Sequence, residues 1–310
     1  MVAQDVTGLI GNTPIVGIQR LSPKSGVRIW AKLEGQNPTG SLKDRIARAM
    51  IEQAEKSGRL TPDRILLEPT SGNTGISLAF FARRKGYRLM CVMPETASEE
   101  RRRIIEMYGG EIVSTPGEEG SNGAIRVAKK MAAADGTYLM LYQYGNEANP
   151  RAHEETTGPE ILRDVPGITH FVAGLGTGGT LTGVGRFFRK HKREVRIVAA
   201  EPEQGDLVYG LRSLDEGFIP EIYDETVIDR KVKVNSSDSV MWTQQLLRQE
   251  GIFAGISSGA TVHVARRIAA GIESGEVVCL FADGGWKYLS TEIWTKEVEE
   301  AARGVEYMPW

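Results

Sequence analysis

The sequence predicts an α/β protein of two units, each a parallel-rich, twisted sheet covered by helices. Short apolar runs alternate with longer segments of helical periodicity along nearly the whole chain. The runs, such as Arg88-Leu-Met-Cys-Val-Met93, are almost continuously apolar, as strands buried on both faces are. At 310 residues the chain is about twice the usual domain length.

Strands are expected at 28–33, 65–68, 88–93, 111–115, 138–142, 170–173, 196–201 and 277–281. Helices are expected at 43–56, 74–85, 98–108, 120–133, 181–190, 237–249 and 259–271, where apolar residues recur every three or four positions. Around 146–153 the stretch Asn-Glu-Ala-Asn-Pro-Arg-Ala-His interrupts the periodicity, and a seam between the two units is expected there. A cleft between such units favours ligand binding. The 36 glycines gather at the ends of the expected strands.

Composition excludes several classes. Hydrophobic residues make up 41% and charged residues 25%, ordinary for a globular protein, and a net charge of −2 gives no hint of nucleic acid. No run approaches the ~18 apolar residues of a membrane span. The start, Met1-Val-Ala-Gln-Asp5, does not read as a signal peptide. Cys91 and Cys279 both sit in strand-like runs and are expected in the core, and the four histidines are scattered, so no metal site is expected. Few cysteines and no export signal imply the cytoplasm.

The chemistry is expected at Lys43. In Asn37-Pro-Thr-Gly-Ser-Leu-Lys43-Asp-Arg45, Pro38 and Gly40 make a turn and Ser41 can cap the helix that follows. A lysine in that first turn meets the positive end of the helix, which eases loss of its proton, and a neutral lysine can form a Schiff base. Four glycine- and hydroxyl-rich turns follow expected strands. Thr70-Ser-Gly-Asn-Thr-Gly75 opens a helix and suits a carboxylate, with Gly72 and Gly75 letting a ligand near the backbone. Gly174-Leu-Gly-Thr-Gly-Gly-Thr180 makes a nest of N–H groups at a helix start, a phosphate cradle. It lacks a P-loop lysine and a clear acidic ribose partner, which argues against nucleotides and NAD. Gly255-Ile-Ser-Ser-Gly-Ala260 offers a hydroxyl for a neutral ring nitrogen, and Asp283-Gly-Gly285 follows the last strand. A Schiff-base lysine, a phosphate cradle and a ring-nitrogen serine together point to pyridoxal phosphate.

These motifs, with Thr156-Thr-Gly-Pro-Glu-Ile161, resemble the cysteine synthase family of pyridoxal phosphate enzymes. The likeness runs from Gly11-Asn-Thr-Pro14 to Tyr288-Leu-Ser-Thr291. It implies the two-domain fold-type II, or tryptophan synthase β-like, architecture, with the active site between a smaller domain over 35–148 and a larger one over 1–34 plus 149–310. It implies a homodimer. It also implies roles by position: Lys43 binds the cofactor and acts as acid and base; Asn73 donates to the ring hydroxyl; Gly176, Thr177, Gly178, Gly179 and Thr180 hold the phosphate; Ser257 meets the pyridine nitrogen; Thr70, Ser71, Thr74 and Gln143 bind the substrate carboxylate. A neutral Ser257 favours β-elimination over transamination.

The stretch Tyr209-Gly-Leu-Arg212-Ser-Leu-Asp-Glu-Gly217-Phe-Ile-Pro220 departs from the glycine-rich, neutral segment of the acetylserine branch. An arginine facing the site suits a phosphate leaving group; a surface pair with Asp215 or Glu216 is the alternative. This stretch, Tyr142-Gln-Tyr-Gly-Asn146 and Trp286-Lys-Tyr-Leu-Ser290 are similar to actinobacterial O-phosphoserine sulfhydrylases. That likeness implies O-phosphoserine as substrate, α-aminoacrylate as intermediate, L-cysteine as product, and sulfide or a thiocarboxylated carrier protein as sulfur donor. The rivals are O-acetylserine with sulfide, a cystathionine-forming or amine-using enzyme, a binding homologue that docks serine acetyltransferase, and a nicotinamide-dependent oxidoreductase. The loop near Arg212 and Gly217 and the tail Tyr307–Trp310 are expected to cover the site.

Overall fold

The computed structural model describes residues 2–70 and 72–306; Ser71 and the tail Tyr307–Trp310 lie outside them. Among the described residues, ten strands form two sheets. They are β1 (Ile15–Ile18), β2 (Val27–Leu33), β3 (Ile65–Pro69), β4 (Arg88–Pro94), β5 (Glu111–Thr115), β6 (Tyr138–Met140), β7 (His170–Gly174), β8 (Arg196–Pro202), β9 (Arg230–Val234) and β10 (Gly275–Phe281). The helices are α1 (Lys43–Lys56), α2 (Asn73–Lys85), α3 (Glu99–Met107), α4 (Gly120–Ala134), α5 (Ala148–Ala152), α6 (Gly158–Asp164), α7 (Gly179–His191), α8 (Ser236–Gln245), α9 (Ile256–Gly271) and α10 (Val298–Glu306).

The smaller sheet has the order β5-β4-β3-β6 and is parallel throughout. The larger has the order β1-β2-β10-β7-β8-β9, parallel except where β1 returns antiparallel along β2. Register follows burial: Cys279 of β10 lies between Ala31 and Val172, all three buried. Cys91 and Cys279 are both fully buried core thiols, as the sequence implies. Strand β3 is buried along its whole length, which explains its lack of polar alternation.

The stretch 146–153, where the periodicity is interrupted, is a turn followed by the start of a helix. Helix α5 runs through a π-helical turn, His153–Thr157, directly into α6. Pro150 sits in the first turn of α5, where its missing N–H costs little. Helix α1 matches its expected bounds, and Ile46, Ala47, Met50, Ile51 and Ala54 form its buried face.

The C-terminal ends of both sheets meet at one cleft, the usual ligand position in parallel α/β sheets. The turn carrying Lys43 is stitched to the far sheet there: Leu42 N–H donates to Ala282 C=O at 2.9 Å. Among the described residues no helix is long and apolar enough to cross a membrane, and no group of side chains is arranged to hold a metal.

Candidate active site

A cavity of about 290 Å³ lies where the strand ends converge, and Lys43, Asn73, Thr74, Gln143, Thr177 and Ser257 all line it. Thr70, Gly176, Gly178, Thr180 and Arg212 line it too, and Gly179 follows Gly178 as the first residue of α7. Twelve of the thirteen positions named from the sequence thus meet at one place; the thirteenth, Ser71, lies outside the described residues.

Lys43 opens α1, but its cap differs from the expected one. The backbone of Leu42 is already helical, and Ser41 Oγ accepts a long 3.3 Å bond from Lys43 N–H. The amine is also softened for another reason than the helix end. Burial strips its hydration and brings its pKa down to about 8, against the opposing pull of Asp283 and Glu34.

The phosphate-like cradle is built as the glycines demand. Gly178 has φ of +81°, a left-handed value, just before α7 starts. A Cβ on Gly176 would lie 2.6 Å from the carbonyl oxygen of Gly210. Thr177 Oγ1 accepts from Gly179 N–H at 3.2 Å, and Asn149 Nδ2 lies 3.2 Å from the same hydroxyl. Thr180 Oγ1 lies 3.2 Å from Nε2 of His153, a histidine whose burial holds it neutral, at about 3.

The turn after β3 behaves differently from its expectation. Gly72 and Gly75 make room for protein, not ligand: added Cβ atoms would lie 2.2 Å from Arg101 Cδ and 2.8 Å from Ile105 Cδ1, both on α3. Thr70 Oγ1 accepts from the N–H groups of Gly72 and Gly75 at 3.0 and 3.3 Å. Thr74 Oγ1 donates to Gln143 Oε1 at 2.7 Å, which joins two of the four residues expected to bind the carboxylate. Gln143 is anchored by Glu68, whose carboxyl accepts from the N–H groups of Tyr142 and Gln143 at 2.7 and 2.9 Å. Burial raises Glu68 to about 8.

Sequence reasoning missed the charges beneath Lys43. Arg45 donates to Glu34 at 2.7 and 2.8 Å and to Glu160 at 2.8 and 2.7 Å. Lys32 Nζ reaches Glu160 at 2.8 Å and Thr13 C=O at 2.9 Å. Asp44 accepts from Thr39 N–H at 2.8 Å and Ser77 Oγ at 2.7 Å. The Gly11–Pro14, Asn37–Arg45 and Thr156–Ile161 motifs therefore meet each other, and much of their polarity is scaffold for Lys43. Asn73 was also missed as a network member: its amide bonds Asp283 and Lys287, each at 2.7 Å.

The residues present fit a pyridoxal group. The cradle before α7 suits its phosphate, a desolvated lysine suits its aldehyde, and Ser257 at the start of α9 brings a hydroxyl to the same cavity. Ser258, beside it, is fully buried and does not line the cavity.

Comparison with known proteins agrees. The sequence profile of the family described as pyridoxal-phosphate dependent enzyme matches residues 6–283. Cysteine synthase B of Salmonella typhimurium is 43% identical over 297 residues, 96% of this chain and 98% of that protein. A cysteine synthase of Staphylococcus aureus (strain Mu50) is 43% identical over 301 residues, 94% of this chain and 97% of that one. The crystal structure of an O-ureido-L-serine synthase superposes with a TM-score of 0.89 at 40% identity, covering 96% of this chain and 97% of that one. With the profile covering most of the chain and relatives aligned over nearly all of it, the chain belongs to the pyridoxal-phosphate dependent enzyme family and is of the cysteine synthase type.

Proposed function

We propose that this enzyme makes L-cysteine by β-replacement on O-phospho-L-serine, with sulfide or a thiocarboxylated carrier protein giving the sulfur. The observation that carries the choice of substrate is Arg212. Its backbone N–H donates to Leu175 C=O at 2.7 Å, which sets it beside the phosphate cradle. Its guanidinium packs over Phe218 at 4.5 Å and near Tyr144 at 5.6 Å, and NH1 donates to Asn122 Oδ1 at 3.0 Å. The surface pair with Asp215 is not formed; Asp215 binds Lys233 at 2.6 Å. A half-buried cation at the cavity wall, held by neutral groups, matches a phosphate dianion and has no task with a neutral acetyl ester.

Bound pyridoxal phosphate supplies an electron sink next to the substrate's Cα. The chain's own residues do the rest. Lys43 Nζ, neutral in part at physiological pH, removes the α-proton and later returns it. Thr70, Ser71, Thr74 and Gln143 hold the substrate carboxylate, and the backbone N–H groups from Gly176 to Thr180 hold the cofactor phosphate. Asn73 and Ser257, which line the cavity, would hold the cofactor's ring oxygen and ring nitrogen. Arg212 binds the leaving phosphate. The two sheets support a smaller domain over 35–148 and a larger one over 1–34 plus 149–310, with the cleft between them.

The test is kcat/KM for O-phosphoserine and O-acetylserine measured side by side with sulfide. A clear preference for the phosphate ester is expected. Equal or reversed preference makes O-acetylserine the substrate.

A further inference from the structure

The reading above gives no task to Asp283 and Lys287, the charged residues of the turn after β10. Both are buried, at 2% and 0% exposure, although each would be well hydrated on a surface loop. They converge on one amide. Lys287 Nζ donates to Asn73 Oδ1 at 2.7 Å, and Asn73 Nδ2 donates to Asp283 Oδ2 at 2.7 Å. The same carboxylate oxygen accepts from the Tyr288 hydroxyl at 2.6 Å.

An ammonium only donates and a carboxylate only accepts. A flipped Asn73 would set its NH₂ against the ammonium and its oxygen against the carboxylate. The amide therefore has one stable orientation, with its second Nδ2 hydrogen left over beside the cavity that Asn73 lines. The pair is itself packed rigidly. A Cβ on Gly255 would lie 2.0 Å from Asp283 Oδ1, and the Trp286 ring covers Lys287 Nζ at 5.1 Å. Burial lowers Lys287 to about 8; Asp283 and Asp44 oppose this, while Arg101 and Lys43 add to it.

We propose that Lys287, with Asp283, is a positioning residue that fixes the Asn73 carboxamide so that one N–H of it is presented to the ring oxygen of the cofactor. The inference rests on the reading of Asn73 as that oxygen's donor. It gives the Asp283–Lys287 turn a function in tuning the cofactor, beyond closing the sheet.

The test compares the holoenzymes of Asn73→Ala, Lys287→Met and Lys287→Gln by the position of the visible cofactor band, by cofactor retention on dialysis, and by kcat and KM. Asn73→Ala should move the band. Lys287→Met should move it the same way and lower kcat roughly tenfold or more, with KM changed less. Glutamine keeps an N–H for Asn73 Oδ1 without the charge, so Lys287→Gln should return the band to the wild-type position and recover most of kcat. A wild-type band in folded Lys287→Met, with a moved band in Asn73→Ala, overturns the proposal alone. A Lys287→Gln band displaced as far as that of Asn73→Ala also overturns it, and serves if the methionine variant does not fold. An unmoved band in Asn73→Ala overturns the reading of Asn73, and the proposal with it.

Discussion

Arg45 holds Glu160 with two hydrogen bonds, NH1 to Oε1 at 2.8 Å and NH2 to Oε2 at 2.7 Å, across 115 residues of sequence. Arg45 is two residues past Lys43 and has the same fork-on-carboxylate contact with Glu34. The start of α1 is thus clamped from both sides. Arg45→Ala leaves two buried carboxylates short of their partner and should cost roughly 3–5 kcal/mol. Urea unfolding of the holoenzyme measures it. Arg45→Lys should recover only part, because an ammonium cannot serve both carboxylates in the plane of a fork. A loss under about 1 kcal/mol for the alanine variant would make the clamp dispensable.

The same clamp ties stability to acid. Burial alone would raise the Glu34 pKa, but the charge and hydrogen bonds of Arg45, with Lys32 and Thr13, hold it at about 2, below the ordinary 4.5. Its folded value lies below its unfolded one. The stabilisation is therefore complete above about pH 4.5 and is lost as pH falls towards 2, and amounts to roughly 3 kcal/mol. The stability gap between wild type and Glu34→Gln should narrow over that window. A gap constant from pH 5 to 2 would remove Glu34 as the source.

Much of the site was legible because its chemistry is local in sequence. Lys43 with its turn, the glycines leading into α7 and the serines in the first turn of α9 each fall within a few residues, so chain order alone displays them. The clamp is not local. Lys32 stands in a strand whose neighbours are apolar, and nothing in the sequence distinguishes a fully buried lysine paired with Glu160 from one at a strand edge. Strand β9, Arg-Lys-Val-Lys-Val, was hidden by its charges; it is an edge strand, and Lys233 reaches out to Glu201 and Asp215. Helix α10 and strand β1 were missed as well, since both are short elements at the ends of the chain, where tertiary contact decides the structure.

Lys43→Ala should abolish β-replacement and remove the covalent attachment of the cofactor, while the cradle before α7 still retains it non-covalently. Near wild-type turnover would sink the assignment. The softened amine has its own signature. In the cofactor-free protein, modification of Lys43 by an amine reagent should reach half its maximal rate near pH 8, where an ordinary lysine would do so near 10.5. Peptide mapping reads the site. A midpoint above 10 would mean that the amine is hydrated.

Ser257→Asp tests the ring-nitrogen contact. Ser257 is buried at the start of α9 and faces the cavity. A carboxylate there favours the charged form of a ring nitrogen, whereas a hydroxyl leaves it neutral. The variant should shift the cofactor spectrum and slow turnover strongly. Full rate with an unchanged spectrum would show that Ser257 does not meet the ring.

Arg212 should set the choice of leaving group. The guanidinium is held by Asn122, Phe218 and Tyr144, none of them charged, so its positive charge is available to an incoming dianion. Removing one side of a partly desolvated charge pair costs on the order of 2–5 kcal/mol, or roughly 30- to several-thousand-fold. Arg212→Ala should therefore cut kcat/KM for O-phosphoserine by at least roughly thirtyfold and leave activity with O-acetylserine nearly unchanged. Arg212→Lys should rescue in part, since it returns the charge without the planar fork. Equal losses with both esters would place Arg212 in support of the loop, through its backbone bond to Leu175. No loss with either would detach it from the reaction and leave O-acetylserine as the better substrate.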